Sequence, residues 1–167
     1  GTSIYHLIFN DEHLENFTAD FKMLPPLRTK EDQIALIEGI KKGIVDVITS
    51  NHQPHENEIR EVEFPIAPMG CIGTQIAFPM ALTYLLDELD LEIIVKTMSI
   101  NPRTILQTDI PVIKEGFVAN LTFFDTHTKW KFDKSSNSSL SENTPMLDST
   151  LKGKVHGTIL GNYLHFS

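Results

Sequence analysis

The sequence predicts an α/β protein, a parallel-sheet segment followed by a small β unit, on three observations. Isoleucines at helical spacing (Ile34, Ile37, Ile40, Ile44) run past Gly43 into a short apolar stretch, 44–48, which reads as the αβ half of a βαβ unit. That stretch delivers Thr49, Ser50, Asn51 and His52 into a long irregular loop closing on Ala67-Pro68-Met69-Gly70. Parallel α/β proteins build sites at strand ends in this way, although the pattern alone also fits an ordinary surface loop. Finally, the composition changes near Thr108, beyond which β-branched and aromatic runs alternate with glycine turns.

Taken in order, residues 1–10 hold Ile4, Tyr5, Leu7, Ile8 and Phe9 around His6 and are expected as a short strand. Residues 11–20 are acidic and mixed, a loop with a helical turn. Pro25 and Pro26 remove two backbone donors and fix φ, so the segment before Arg28 is rigid and extended. Thr29 with Asp32 forms a capping-box pattern that opens a helix over 29–43. Its acids (Glu31, Glu38) precede its lysines (Lys41, Lys42), as the helix dipole favours, and Gly43 is a natural stop. A buried strand over 44–48 follows. Residues 74–86 are apolar almost all round and predict a buried helix that tolerates Pro79. Residues 91–98 predict a second helix, and Asn101-Pro102 the cap and first position of a third. In the tail, 110–113 and 118–124 are expected strands around a turn at Gly116, and Trp130-Lys131-Phe132 alternates. Ser/Asn-rich 135–145 is loop, and 154–160 and 163–166 flank a hairpin turn at Gly161-Asn162.

The chain has 167 residues, 41% hydrophobic and 22% charged, with a formal net charge of -8. Those values suit one soluble domain or a little more, and they argue against nonspecific binding to nucleic acid or an anionic membrane. No apolar run approaches a membrane span, and no signal peptide is visible. Cys71 is the only cysteine, so no internal disulfide can form, which fits a reducing cytoplasm. The chain begins Gly1-Thr2-Ser3 without methionine, so a processed product or part of a longer protein is expected.

Asn51-His52-Gln53-Pro54-His55 is the richest chemical cluster. Two histidines three apart could ligate a metal, but zinc needs three or four well-placed ligands and no other Cys or His lies close in sequence. No phosphate-binding loop, dinucleotide fingerprint or serine-nucleophile motif is present. Cys71 has no evident thiolate-stabilising partner and reads as a small packed residue. Arg28 is expected in a structural role, and His127, His156 and His165 at the surface or an edge. The acids of 56–63 are expected as a solvated face, since they lack the spacing of a calcium loop.

Several of these motifs together resemble dihydroorotase of the amidohydrolase superfamily. They are Phe21-Lys22-Met23-Leu24-Pro25-Pro26-Leu27-Arg28, the helix over 29–43, Thr49-Ser50-Asn51-His52-Gln53-Pro54-His55, Ala67-Pro68-Met69-Gly70 and Asn101-Pro102-Arg103. The closing segment agrees too, through Lys114-Glu115-Gly116, Asn143-Thr144-Pro145 and Leu151-Lys152-Gly153-Lys154-Val155. The resemblance implies the C-terminal part of a metal-dependent (β/α)8 TIM barrel over 1–107, and a segment of a small β domain over 108–167. A full barrel takes about 250 residues, so the rest would come from a longer chain or a paired fragment.

By resemblance the reaction is reversible hydrolysis of the cyclic amide dihydroorotate to N-carbamoyl-aspartate, a step of pyrimidine biosynthesis, in the cytoplasm. Zinc activates the attacking water, and an Asp at the last barrel strand moves the proton. Asn51 occupies that Asp's position, and a carboxamide has no basic state near neutral pH. Leu24 stands where the family has an Asn that holds the substrate carboxylate, and Tyr5-His6 where a His-His pair is common. His55 and the backbone around Pro68 and Gly70 would contact substrate. No metal site is intact within this chain, because the family's zinc ligands come mostly from earlier strands. The resemblance thus implies an impaired dihydroorotase segment, a non-catalytic homologue partnering an aspartate transcarbamoylase, or a related cyclic-amide hydrolase with a more apolar pocket. The missing N-terminal part of the barrel and a second copy, as a homodimer, are the other implied partners.

Overall fold

A computed structural model describes residues 1–166. Two short parallel strands, β1 (Thr2–Ser3) and β2 (Ile48–Thr49), pair Thr2 with Ile48 and Ser3 with Thr49. A single parallel bridge continues the pattern between His52 and Cys71.

The expected strand over residues 1–10 is instead mostly a helix, α1 (Ile4–Ile8), entered from β1. The reason lies in consecutive burial. Ile4, Tyr5, His6 and Leu7 are all inside, whereas a strand would turn alternate side chains to opposite faces. Ser3 starts the helix by accepting the Tyr5 N–H at 3.2 Å.

Helix α2 (Lys30–Lys41) is capped as expected, with the Thr29 hydroxyl accepting from the Asp32 N–H. Its buried side is narrower than the isoleucine pattern suggests. Ile40 and Gln33 are buried, and Ile34 is half exposed. Gly43 takes φ +68°, and the amides of Ile44 and Val45 both turn back to the Gly39 carbonyl. Ile44 is therefore part of the helix end, 74% exposed, and only the last residue of the expected 44–48 strand pairs in the sheet.

Gly73 accepts the amides of Ile76 and Ala77, and α3 (Ala77–Tyr84) follows, buried along most of its length. Pro79 sits in the first turn, where its missing N–H leaves no gap. Helix α4 (Leu91–Val95) runs through a π turn (Lys96–Ile100) into α5 (Asn101–Ile105) without a break. The expected cap at Asn101 is absent: Asn101 is helical at φ −59°, and the widened turn before Pro102 absorbs the proline. The Asn101 side chain instead donates to the Asp46 carbonyl at 2.8 Å, tying this helix to the approach to β2.

The tail forms an antiparallel sheet of β3 (Asn120–Phe132), β4 (Ser149–Leu160) and β5 (Tyr163–Phe166), in that order. The Gly161-Asn162 hairpin is present, with Leu160 facing Tyr163. Residues 110–113, expected as strand, are irregular, with no described strand to pair with and Ile113 almost wholly exposed. The sheet and the helical part share one hydrophobic cluster, in which Phe132, Met146 and Leu151 meet Tyr5, Ile76 and Met80. At Gly153, φ +82°, a Cβ would come within 2.2 Å of Leu82, so the close approach of β4 to α3 needs a glycine.

Candidate functional site

The C-terminal end of β2 opens into the polar cluster. Asn51 adopts φ +46°, a left-handed conformation that Asn tolerates better than most residues. Its carboxamide N–H donates to the Leu24 carbonyl at 3.2 Å. Asn51 and His6 line one cavity of about 320 Å³ together with Ser3, Pro25 and Thr49. The His6 Nε2–H donates to the Pro25 carbonyl at 2.8 Å, which leaves Nδ1 buried and without a partner. The Leu24 side chain, by contrast, is 53% exposed. His55 and Pro68 lie outside this cavity's lining.

His52 is occupied by backbone, its Nδ1 accepting the N–H groups of Gly73 and Thr74 at 3.0 and 3.3 Å. His55 Nε2–H donates to the Met69 carbonyl at 2.8 Å, which brings His55 against the segment of Pro68 and Gly70. Gly70, at φ +111°, donates its N–H to the Lys22 carbonyl at 2.8 Å. A Cβ there would meet the Gln53 Oε1 at 2.1 Å, so only glycine fits. The Asn51–Leu24 pair and the His55–Gly70 group are thus two clusters, joined by the 22–24 segment.

Two polar residues that sequence reasoning passed over hold this loop. The Lys22 ammonium donates to the carbonyls of Phe64, Pro65 and Ala67 at 2.7, 3.0 and 2.6 Å and lies 5.2 Å from the Phe64 ring centroid. Asn143, from the far end of the chain, is fully buried and bonds to residues on both arms of the loop. Lys22 stands inside a motif quoted above but carries no signal of its three-carbonyl role. The phrase Asn143-Thr144-Pro145 is the only sequence signal for Asn143.

Tyr5 lies fully inside the core, its hydroxyl donating to the Ile72 carbonyl and lying 3.3 Å from the Thr144 hydroxyl. Burial raises its phenol above the ordinary value. Burial likewise pushes the Cys71 thiol up to about 12, with Arg60 opposing, and that thiol donates to the Asp20 carbonyl at 3.0 Å. Cys71 is therefore a packed residue, as expected. Arg28 makes one exposed contact, 3.6 Å to Asp32, and its carbonyl accepts the Asp11 N–H. His156 pairs with Asp125 at 2.7 Å on the exposed side of the sheet. Among the described residues, no group of three His, Cys, Asp or Glu side chains could hold a metal ion, and no helix is long and apolar enough to cross a membrane.

No family model matches the chain. A dihydroorotase of Aquifex aeolicus (strain VF5) is 41% identical over 156 residues, which are 92% of this chain and 36% of that protein. Among solved structures, an L-hydantoinase (dihydropyrimidinase) from Arthrobacter aurescens superposes with a TM-score of 0.87 at 25% identity, over 97% of this chain and 38% of that one. The inactive dihydroorotase-like domain of a Chaetomium thermophilum CAD-like multifunctional protein shares the fold, with a TM-score of 0.67 at 19% identity over 97% of this chain and 42% of that one. The chain spans a little over a third of the length of the curated relatives it matches.

Proposed function

We propose that this chain, which belongs to the dihydroorotase family of cyclic amidohydrolases, is the C-terminal part of such a protein and forms the closing portion of a dihydroorotate-type site whose hydrolytic step is impaired. In this reading residues 1–107 complete the barrel and 108–167 belong to the small β domain.

The observation that carries the reading is Asn51. It lines the cavity at the end of β2 and donates to the Leu24 carbonyl. A carboxamide in the position of the family's proton-moving Asp neither takes nor returns a proton. Loss of such a group costs on the order of 10²–10⁴ in rate. Leu24 offers no polar side chain for a substrate carboxylate and is half exposed. By the resemblance His55 and the segment of Pro68 and Gly70 face substrate; here the Gly70 N–H is donated to the Lys22 carbonyl and the His55 Nε2–H to the Met69 carbonyl, so a substrate carboxylate would have to displace these bonds.

The family's zinc is not fitted by this chain's residues alone. His6 offers one buried imidazole nitrogen without a partner, but Tyr5 beside it is committed to Ile72 and Thr144. A structural zinc takes four ligands and a catalytic one three, so this chain's residues do not complete the metal's ligand set.

The second reading, a non-catalytic homologue that supports an aspartate transcarbamoylase, is favoured by Tyr5, a core residue where the family commonly has histidine. In either reading the working form is cytoplasmic and, as a homodimer, includes the missing N-terminal part. The test is metal content and dihydroorotate turnover of the full-length protein, as found and with Asn51→Asp, alone and combined with Leu24→Asn. Impairment predicts metal bound and a large gain. The scaffold reading predicts no metal, no gain and a transcarbamoylase that co-purifies. Rapid turnover by the unaltered protein would overturn both.

A further inference from the structure

We infer that Asn143, on the loop between β3 and β4, is a positioning residue for the candidate site, holding His55 and Gly70 in register from across the fold. This rests on the reading above that His55 and Gly70 face substrate.

The side chain of Asn143 is fully buried, and each of its polar atoms is used. Its Oδ1 accepts the His55 backbone N–H at 3.2 Å, and its Nδ2 donates to the carbonyls of Gln53 and Gly70 at 2.8 and 3.0 Å. Its own carbonyl accepts the Ile72 N–H at 2.9 Å. One residue thus joins the start of the long loop to its end, 88 and 73 positions away along the chain for His55 and Gly70.

The chemistry calls for an amide. The carbonyls of Gln53 and Gly70 each need a donor and the His55 N–H needs an acceptor, and only the carboxamide of Asn or Gln offers two donor hydrogens and an acceptor together. Asp would keep the acceptor but set an oxygen against two carbonyl oxygens. Gln would reach about one bond too far in a packed site. The neighbouring Thr144 hydroxyl contacts Tyr5, so the same turn also holds the core helix that carries His6. A loop drawn shut at this point keeps the His55 ring on the Met69 carbonyl and the Gly70 backbone packed against the Gln53 side chain. Such supporting contacts set catalytic geometry to within fractions of an ångström.

The test uses the full-length protein with Asn143→Ala and Asn143→Asp. Thr83→Val serves as a control, because Thr83 ties β4 to α3 through the Lys152 amide, away from this loop. Two readouts are taken: amide hydrogen exchange at His55 and Gly70, and affinity for N-carbamoyl-aspartate by titration calorimetry. Both Asn143 variants should exchange faster at His55 and Gly70 and bind at least about tenfold more weakly, equivalent to ~1.4 kcal/mol. Thr83→Val should lower stability and leave affinity unchanged. If exchange at His55 and Gly70 is unaltered in both variants, the positioning role is wrong whatever the ligand does. If exchange rises but affinity does not fall, or if Thr83→Val weakens binding equally, Asn143 is structural only and the inference is overturned. If the unaltered protein binds no ligand while the exchange changes appear, the reading of the site fails instead.

Discussion

Tyr5→Phe removes a single oxygen from the core and tests whether the position beside His6 belongs to the fold or to the chemistry. The hydroxyl is buried, donates to the Ile72 carbonyl and neighbours Thr144. Without it the Ile72 carbonyl, on a buried residue, loses its side-chain partner. Leaving such a group unpaired costs about 1–3 kcal/mol, part of which is returned because a phenol no longer has to be desolvated. A net loss of about 1–2 kcal/mol near neutral pH is expected.

The alkaline limb is more specific. The folded state holds the phenol above its usual value of 10.0, so the native protein keeps a proton that the unfolded chain releases. The Tyr5 contribution to stability is therefore complete below pH 10 and declines above it, by about 1.4 kcal/mol per pH unit. Cys71 adds the same slope from its usual 9.0 up to about 12. Urea unfolding of the full-length protein at pH 8 to 11 should thus show the Tyr5→Phe curve falling less steeply above pH 10 than the unaltered one, and Cys71→Ser removing the slope that begins near pH 9. Parallel curves through pH 10–11, or a Tyr5 phenolate absorbing below pH 10, would falsify the core assignment and return Tyr5 to the site as an ionised ligand.

Lys22→Met takes the ammonium from three carbonyls at once and should free the 56–67 loop. Limited proteolysis there should be at least about tenfold faster, on the view that cleavage tracks the local opening equilibrium; an unchanged rate would deny Lys22 that role. Gly70→Ala sets a methyl against Gln53 in a backbone conformation unfavourable to L-residues, and should cost about 1–3 kcal/mol from the backbone alone. Denaturant unfolding would read it, and a variant as stable as the parent would mean the loop is not packed as described.

Much of the architecture was legible in the residues, and the departures have physical causes. Thr29, Gly43 and Gly161 act locally through capping and turn geometry, so the elements they bound could be placed from sequence. The strand expected over residues 1–10 is a helix because a short, mostly apolar run carries no periodicity that separates strand from helix, and burial on all sides decides for α1. The Asn101-Pro102 phrase predicts a helix start where the helix in fact continues, because a π turn has no local signature and depends on what Pro102 must avoid. Asn51 and His55 share one contiguous motif and Gly70 closes another. The Asn143-Thr144-Pro145 phrase marks the position of Asn143 but not its role, since its partners lie 73–90 positions away along the chain.

The most direct measurement is steady-state dihydroorotate turnover by the full-length protein, with Asn51 as found and with Asn51→Asp, at matched metal content. A carboxylate free to turn from the Leu24 carbonyl toward the cavity should raise turnover by roughly 10²-fold or more. Fast turnover with Asn51 in place, unchanged by the carboxylate, would contradict the account.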